Sequence, residues 1–276
     1  MQRHSGTSRF RSMRASASSW RDERGGTFPF PLRLLSGQNT ARLTIRVIFS
    51  GKSSFILALL RLLDLEDGAI VIDGLDLTTI PVSHLRRFGV VCVPQDCFIL
   101  PGATLRFNLD PYLVANDSEI AECLAATGLW TVLAAQGRYG TLSDANSHAT
   151  HVLDKKMSTF PALSVGQTQL LAISRALVQA RACLTLAPRP ERRPIVLLDE
   201  VSSSLDSQTE ATIHRVIYKY LIQRGHTVVI VSHRLGAFRE NFRPGTDKVT
   251  WMEDGKIRKV GMLDEILRFD EQAVSS

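Results

Sequence analysis

Ordered patterning of apolar positions begins near residue 50. A helix is expected from Gly51 through the apolar residues 55–60, and a short apolar strand follows at residues 69–72, bounded by the turn residues Asp67, Gly68, Asp73 and Gly74. Residues 89–93 read as a second buried strand. Residues 117–135 carry helical spacing in Ile120, Leu124, Leu129 and Leu133, interrupted at Gly128. Residues 138–161 are polar and rich in turn formers. A long helical pattern then places Leu170, Ile173 and Leu177 on one face, so residues 164–167 sit at a loop-to-helix junction.

Residues 194–198 and 227–231 are mostly apolar and rich in Val, Ile and Leu, and between them Ile213, Val216, Ile217, Tyr220 and Leu221 form one helical stripe. Strand, helix, strand with strands buried on both faces predicts a parallel sheet. Residues 248–252 and 256–260 flank Asp254-Gly255, a two-residue hairpin signal. Residues 1–46 show no sustained period and no recognisable strand pair. The expected division is therefore an Arg/Ser-rich segment at 1–46, one α/β domain at 47–270 with a helical insert at about 105–180, and a tail at 271–276.

Composition sharpens this picture in three ways. The net charge of +6 resides in residues 1–46, which hold nine arginines against Asp22 and Glu23; the rest carries 24 basic and 25 acidic residues. A near-neutral body argues against a nucleic-acid footprint, and the Arg/Ser-rich segment has the composition of a disordered arm, a mispredicted exon or a mitochondrial presequence. No apolar run approaches the roughly 18 to 20 residues that cross a bilayer. The four cysteines lack paired metal-ligand spacing, which leaves free thiols in a reducing compartment as the simplest reading.

Several short segments carry candidate chemistry. Ser50, Gly51, Lys52, Ser53 and Ser54 at a helix start offer backbone N–H groups for phosphates, a lysine for their charge and a hydroxyl for Mg2+. The full phosphate-loop pattern asks for glycine where Arg46 stands, so this segment alone favours coincidence. Asp199 and Glu200 follow an apolar strand, at the edge where α/β sheets bind ligands, and suit a metal shell and a water-polarising base; a helix cap pair is the alternative. Ser164, Val165, Gly166 and Gln167 put a hydroxyl and a glycine amide at a helix N-terminus, which fits either an anion site or a plain cap. His233 follows a third strand end and suits a terminal phosphate or the attacking water, with a structural histidine as the alternative; Gln95, after residues 89–93, suits a metal or its water, with an innocuous glutamine as the alternative.

The order of these segments is G-K-S-S, V-P-Q, L-S-V-G-Q, I-V-L-L-D-E, S-L-D and S-H, and six such matches in one order exceed coincidence. The chain resembles the ATP-binding cassette (ABC) family over about residues 50–269. T-L-R-F-N-L-D-P-Y at 104–112 and L-D-E-V-S-S-S-L-D at 198–206 are similar to the second cassette of multidrug-resistance-associated exporters, subfamily C. The resemblance implies a P-loop NTPase (RecA-like) parallel sheet with a helical signature subdomain and a reduced antiparallel β lobe. ATP and Mg2+ are the implied cofactors: Lys52 and the amides of 51–54 hold phosphates, Ser53, Gln95 and Asp199 order the metal, and Glu200 and His233 activate and position water.

By the same resemblance Ser164, Gly166 and Gln167 serve a second cassette in a head-to-tail dimer, with Asp206 at the seam. Residues 96–108 face an exporter's transmembrane domain on the cytoplasmic side of its membrane. Hydrolysis powering export is the leading expectation. A docking cassette without turnover is a second, and a DNA-acting ATPase a third that the absence of heptad arms and of a basic face disfavours. The sequence departs from the family at Arg46 and Phe49, which replace two loop glycines. A bulky residue where the chain takes positive φ costs on the order of 1–2 kcal/mol and crowds the phosphates.

Overall fold

The computed structural model describes residues 32–34, 44–48, 52–64, 69–72, 75–136, 152–186, 193–202, 205–232, 242–243, 246–253, 256–266 and 268. In chain order the elements are β1 (Leu32–Leu34), β2 (Thr44–Ile48), α1 (Lys52–Leu59), β3 (Ile70–Ile72), β4 (Leu75–Asp76), α2 (Val82–His84), β5 (Val90–Val93), α3 (Leu105–Leu109), α4 (Asp117–Ala126), α5 (Leu129–Gln136), α6 (Val165–Leu186), β6 (Ile195–Asp199), α7 (Ser207–Ile217), β7 (Val228–Val231), β8 (Lys248–Glu253) and β9 (Lys256–Gly261).

The main sheet has the order β5-β6-β7-β2-β8-β9. Its first five strands run parallel and only β9 is antiparallel, closing the expected hairpin with β8. Burial explains why β6 reads as an unbroken apolar run. Val196 and Leu198 join the core formed with α3 to α7, whereas Ile195 and Leu197 face the other way, onto Phe55, Ile56 and Leu59 of α1. Both faces of the strand are thus covered, as a parallel sheet between helical layers requires. Each fully buried aliphatic side chain of this kind contributes about 1.5–3 kcal/mol.

The helical insert is set by local chemistry. Asn116 and Glu119 form a reciprocal capping box at the start of α4. Gly128, at φ 79°, provides the left-handed turn between α4 and α5, which accounts for the break in the pattern there. On α6, Ile173 and Leu177 are buried as the stripe predicts, and Leu170 is half-buried. Ser174, fully buried on the same helix, shares a 2.8 Å hydroxyl contact with Thr127, so that polar position is satisfied within the insert.

Two expectations change. Strand residues precede the phosphate loop after all: β1 pairs in parallel with β3, and β2 lies between β7 and β8, so the 46/47 boundary falls inside a strand. Arg46 interrupts the apolar run Thr44-Ile45-Val47-Ile48 and hides its β character from pattern reading. The small lobe, with order β1-β3-β4, is mixed rather than purely antiparallel, because β1 adds to β3 in parallel and β4 antiparallel.

Candidate functional site

Strand register brings the sequence candidates to one edge. Asp199 pairs with Val231, Val231 with Val47, and Val47 with Thr250, so β6, β7, β2 and β8 are aligned in one row. Val93 pairs with Leu198, which sets the C-terminal end of β5 beside that of β6. The residues that follow these strand ends are Gln95 after β5, Glu200 after β6, Ser232 after β7 and, four residues beyond β2, Lys52 at the start of α1. With neighbouring strands about 4.8 Å apart, all four ends lie along a rim of about 15 Å. Ser50, Gly51 and His233 lie outside the described residues, as do the side chains of Lys52 and Ser53.

Glu200 leaves the sheet in a left-handed conformation, φ 48°, while its N–H donates to the Val231 carbonyl at 3.0 Å. A non-glycine residue in this region costs about 1–2 kcal/mol, and such outliers concentrate where function over-determines geometry. Glu200 is half-buried, as is Asp199. Behind them on β5, burial and then the Asp199 charge push the Cys92 thiol up to about 11, so it stays protonated at neutral pH. Burial likewise pushes the Cys123 and Cys183 thiols up to about 11, and all four cysteines are free.

At the signature segment the N–H of Gln167 donates to Ser164 Oγ at 3.2 Å, and Gln167 Oε1 accepts from the Ser164 N–H at 3.0 Å. That is a capping box, so in this chain both side chains close the N-terminus of α6. Val165 is 67% exposed, which presents the segment on the surface. A Cβ on Gly166 would meet Thr209 Cγ2 at 3.1 Å and Oγ1 at 3.3 Å, so α6 packs closely on the first turn of α7 there. Asp206 caps that same turn, accepting from the N–H groups of Gln208 at 3.1 Å and Thr209 at 2.9 Å. The Thr209 hydrogen bonds hold its exposed carboxyl below the usual aspartate range.

Sequence reading missed a set of polar links that tie α6 to the loop after β5 and to α3. Gln169 donates through Nε2 to the Gln95 carbonyl at 2.5 Å. Arg175 donates through Nε to the Asn108 carbonyl at 2.5 Å and through a terminal nitrogen to the Phe98 carbonyl at 2.9 Å. Asn108 in turn donates to the carbonyls of Leu100 and Thr104 and accepts from the Leu100 N–H at 2.8 Å. Asp110, 1% exposed, accepts from the N–H groups of Val114 and Ala115. The signal was present in part: Gln169 shares the helix face of Ala172, Ile173 and Ala176, where a polar residue needs a partner. Outside this scaffold Phe98, Leu100 and Phe107 are exposed.

Comparison with known proteins decides the family. The family model described as ABC transporter matches residues 50–186. The chain carries an ABC transporter nucleotide-binding domain. Its relatives include an ABC-type transporter of Gibberella zeae, 34% identical over 218 residues, which span 79% of this chain and 12% of that protein. The ABC transporter ecdL of Aspergillus rugulosus is 34% identical over 211 residues, 76% of this chain and 12% of that protein. This ABC chain thus spans about an eighth of the length of these fungal relatives. A bacterial Atm1-family ABC exporter solved with ATP bound has the same fold, with a TM-score of 0.62 and 24% identity over 84% of this chain and 35% of that one. Among the described residues no helix is long and apolar enough to cross a membrane.

Proposed function

We propose that the chain binds Mg2+ and ATP at the C-terminal edge of its main sheet and hydrolyses the nucleotide to drive an exporter of which it is one part. The observation that supports this most is the registered row Asp199, Val231, Val47, which sets the residues after three neighbouring strands side by side. The donor set there fits the cation: two carboxylates, the Gln95 carboxamide and serine hydroxyls are hard oxygen ligands, suited to Mg2+ whose remaining positions go to phosphates and water. When bound, the metal supplies charge neutralisation along the phosphates.

The chain's own residues would do the rest. Asp199 and Gln95 hold the metal shell with Ser53, while Lys52 and the amides of residues 51–54 face the β and γ phosphates. Glu200 accepts a proton from the attacking water, and His233 orients that water. Phosphoryl transfer depends mainly on positioning and charge stabilisation, so holding these groups on strand ends matters more than any covalent step. Ser164, Val165, Gly166 and Gln167, on the exposed N-terminus of α6, would meet the nucleotide of a second cassette paired head to tail, with Asp206 at the seam. The apolar patch of Phe98, Leu100 and Phe107 would receive a transmembrane domain of subfamily C type on the cytoplasmic face of its membrane.

A second reading, a cassette that docks without turnover, is favoured by β2. The strand runs on to Ile48 and α1 begins at Lys52, which leaves three residues for the phosphate cradle, Phe49 among them. Titration with labelled ATP followed by a phosphate-release assay on the 276-residue chain separates the two. Turnover at ordinary affinity removes the second reading, and a folded chain that neither binds nor hydrolyses ATP removes the first.

A further inference from the structure

We infer that Gln169 is a positioning residue for the metal-facing loop after β5: it fixes the peptide unit that carries Gln95, and so ties the signature helix to the metal site of the same chain. The inference rests on the reading of Gln95 as a ligand of the metal or its water. Gln169 lies one turn into α6 and is 8% exposed, whereas Gln95 lies 74 residues away and is exposed. The Gln169 Nε2 donates to the Gln95 carbonyl at 2.5 Å. A carbonyl only accepts, so this contact fixes which end of the Gln169 carboxamide points to the loop.

The Gln95 C=O and the Asp96 N–H belong to one planar peptide unit, so holding that oxygen sets the backbone direction from which the Gln95 side chain departs. Gln169 holds the Gln95 carbonyl, whereas the Phe98 carbonyl is held separately by Arg175. The Oε1 of Gln169 is buried and finds no protein donor among the described residues. Buried carboxamide oxygens are seldom left so, and here the free acceptor sits on the residue that touches the metal-facing loop. A displacement of α6, the helix that bears the signature segment, therefore moves the Gln95 backbone directly.

Three forms of the full chain test this: wild type, Gln169→Met, which keeps the shape and removes the donor, and Gln169→Glu. In Gln169→Met the Mg2+ concentration for half-maximal ATP turnover rises about tenfold, in the range that loss of an outer-shell partner produces, while KM for ATP stays within about twofold. In Gln169→Glu turnover recovers as pH falls from about 8 to about 6, because a buried carboxyl with a raised pKa becomes neutral and its O–H donates to the Gln95 carbonyl. Unchanged Mg2+ dependence, or equal losses in both variants at every pH, overturns the assignment. Hydrogen exchange provides a readout free of catalysis: residues 95–98 exchange faster in Gln169→Met with the β6 and β7 amides unchanged. If wild type shows no turnover, the hydrolysis reading fails alone and the exchange result decides this one; unchanged exchange at residues 95–98 overturns it.

Discussion

β6 and β2 stand one strand apart in the same sheet, with β7 between them, and they differ in how sequence prepares them for the shared rim. β6 is four apolar residues ending in Asp199, buried on both faces and followed by a glutamate in a left-handed turn. β2 occupies an equally central place but carries Arg46 at its middle, where the family pattern asks for glycine, and runs on to Ile48, just before Phe49 at a second such position. The carboxylate half of the rim thus keeps the family's sequence pattern, and the phosphate half departs from it. Strand position alone does not make a phosphate cradle; the loop after the strand must also be free to take conformations that only glycine adopts cheaply.

The largest effect expected from the intact half is catalytic. Glu200→Gln lowers phosphate release by about 10²- to 10⁴-fold, the usual worth of a general base, with labelled-ATP binding preserved. Leu198→Ala removes a fully buried side chain of β6 and destabilises the fold by about 2–5 kcal/mol, read from the denaturant midpoint. Repair of the other half is the next step down: Arg46→Gly with Phe49→Gly raises ATP affinity about tenfold, equivalent to about 1.4 kcal/mol. If that double variant binds ATP no better than wild type, the contrast between the two halves is mistaken.

Smaller effects sharpen the same contrast. Glu200→Gly relieves the positive φ and stabilises the fold by about 1 kcal/mol at most while abolishing turnover, a trade visible in paired melting and activity measurements. The Asp206 cap titrates in a defined direction. Its folded carboxyl lies below the ordinary aspartate value, so the stability it gives is present at neutral pH and is lost as pH falls through the folded value. Asn caps equally well without titrating, so wild type and Asp206→Asn diverge in relative stability between about pH 5 and about pH 3, followed by fluorescence.

Sequence patterning foretold the elements whose residues act locally. The unbroken run of β6, the break at Gly128 and the β8–β9 hairpin all follow from short-range signals. β2 escaped because one charged residue broke its run, and β1 because three residues carry too little pattern. At the site, the strand-end residues were legible because a parallel sheet delivers its C-terminal ends together. The link from Gln169 to Gln95 and the grip of Arg175 on Phe98 and Asn108 were not, since they join residues 67 to 77 positions apart through backbone carbonyls that have no side-chain signature. Ser164 caps α6, the alternative its place in the sequence had offered, and Asp206 caps α7, a duty its motif role had masked.

The guanidinium of Arg175 has a mechanical corollary. Because it clasps the Phe98 carbonyl of a surface loop and the Asn108 carbonyl of α3 from within a 22-residue helix, it ties the loop, α3 and α6 to one another. A push on Phe98 would therefore arrive at the middle of α6, about three turns from the end bearing Ser164.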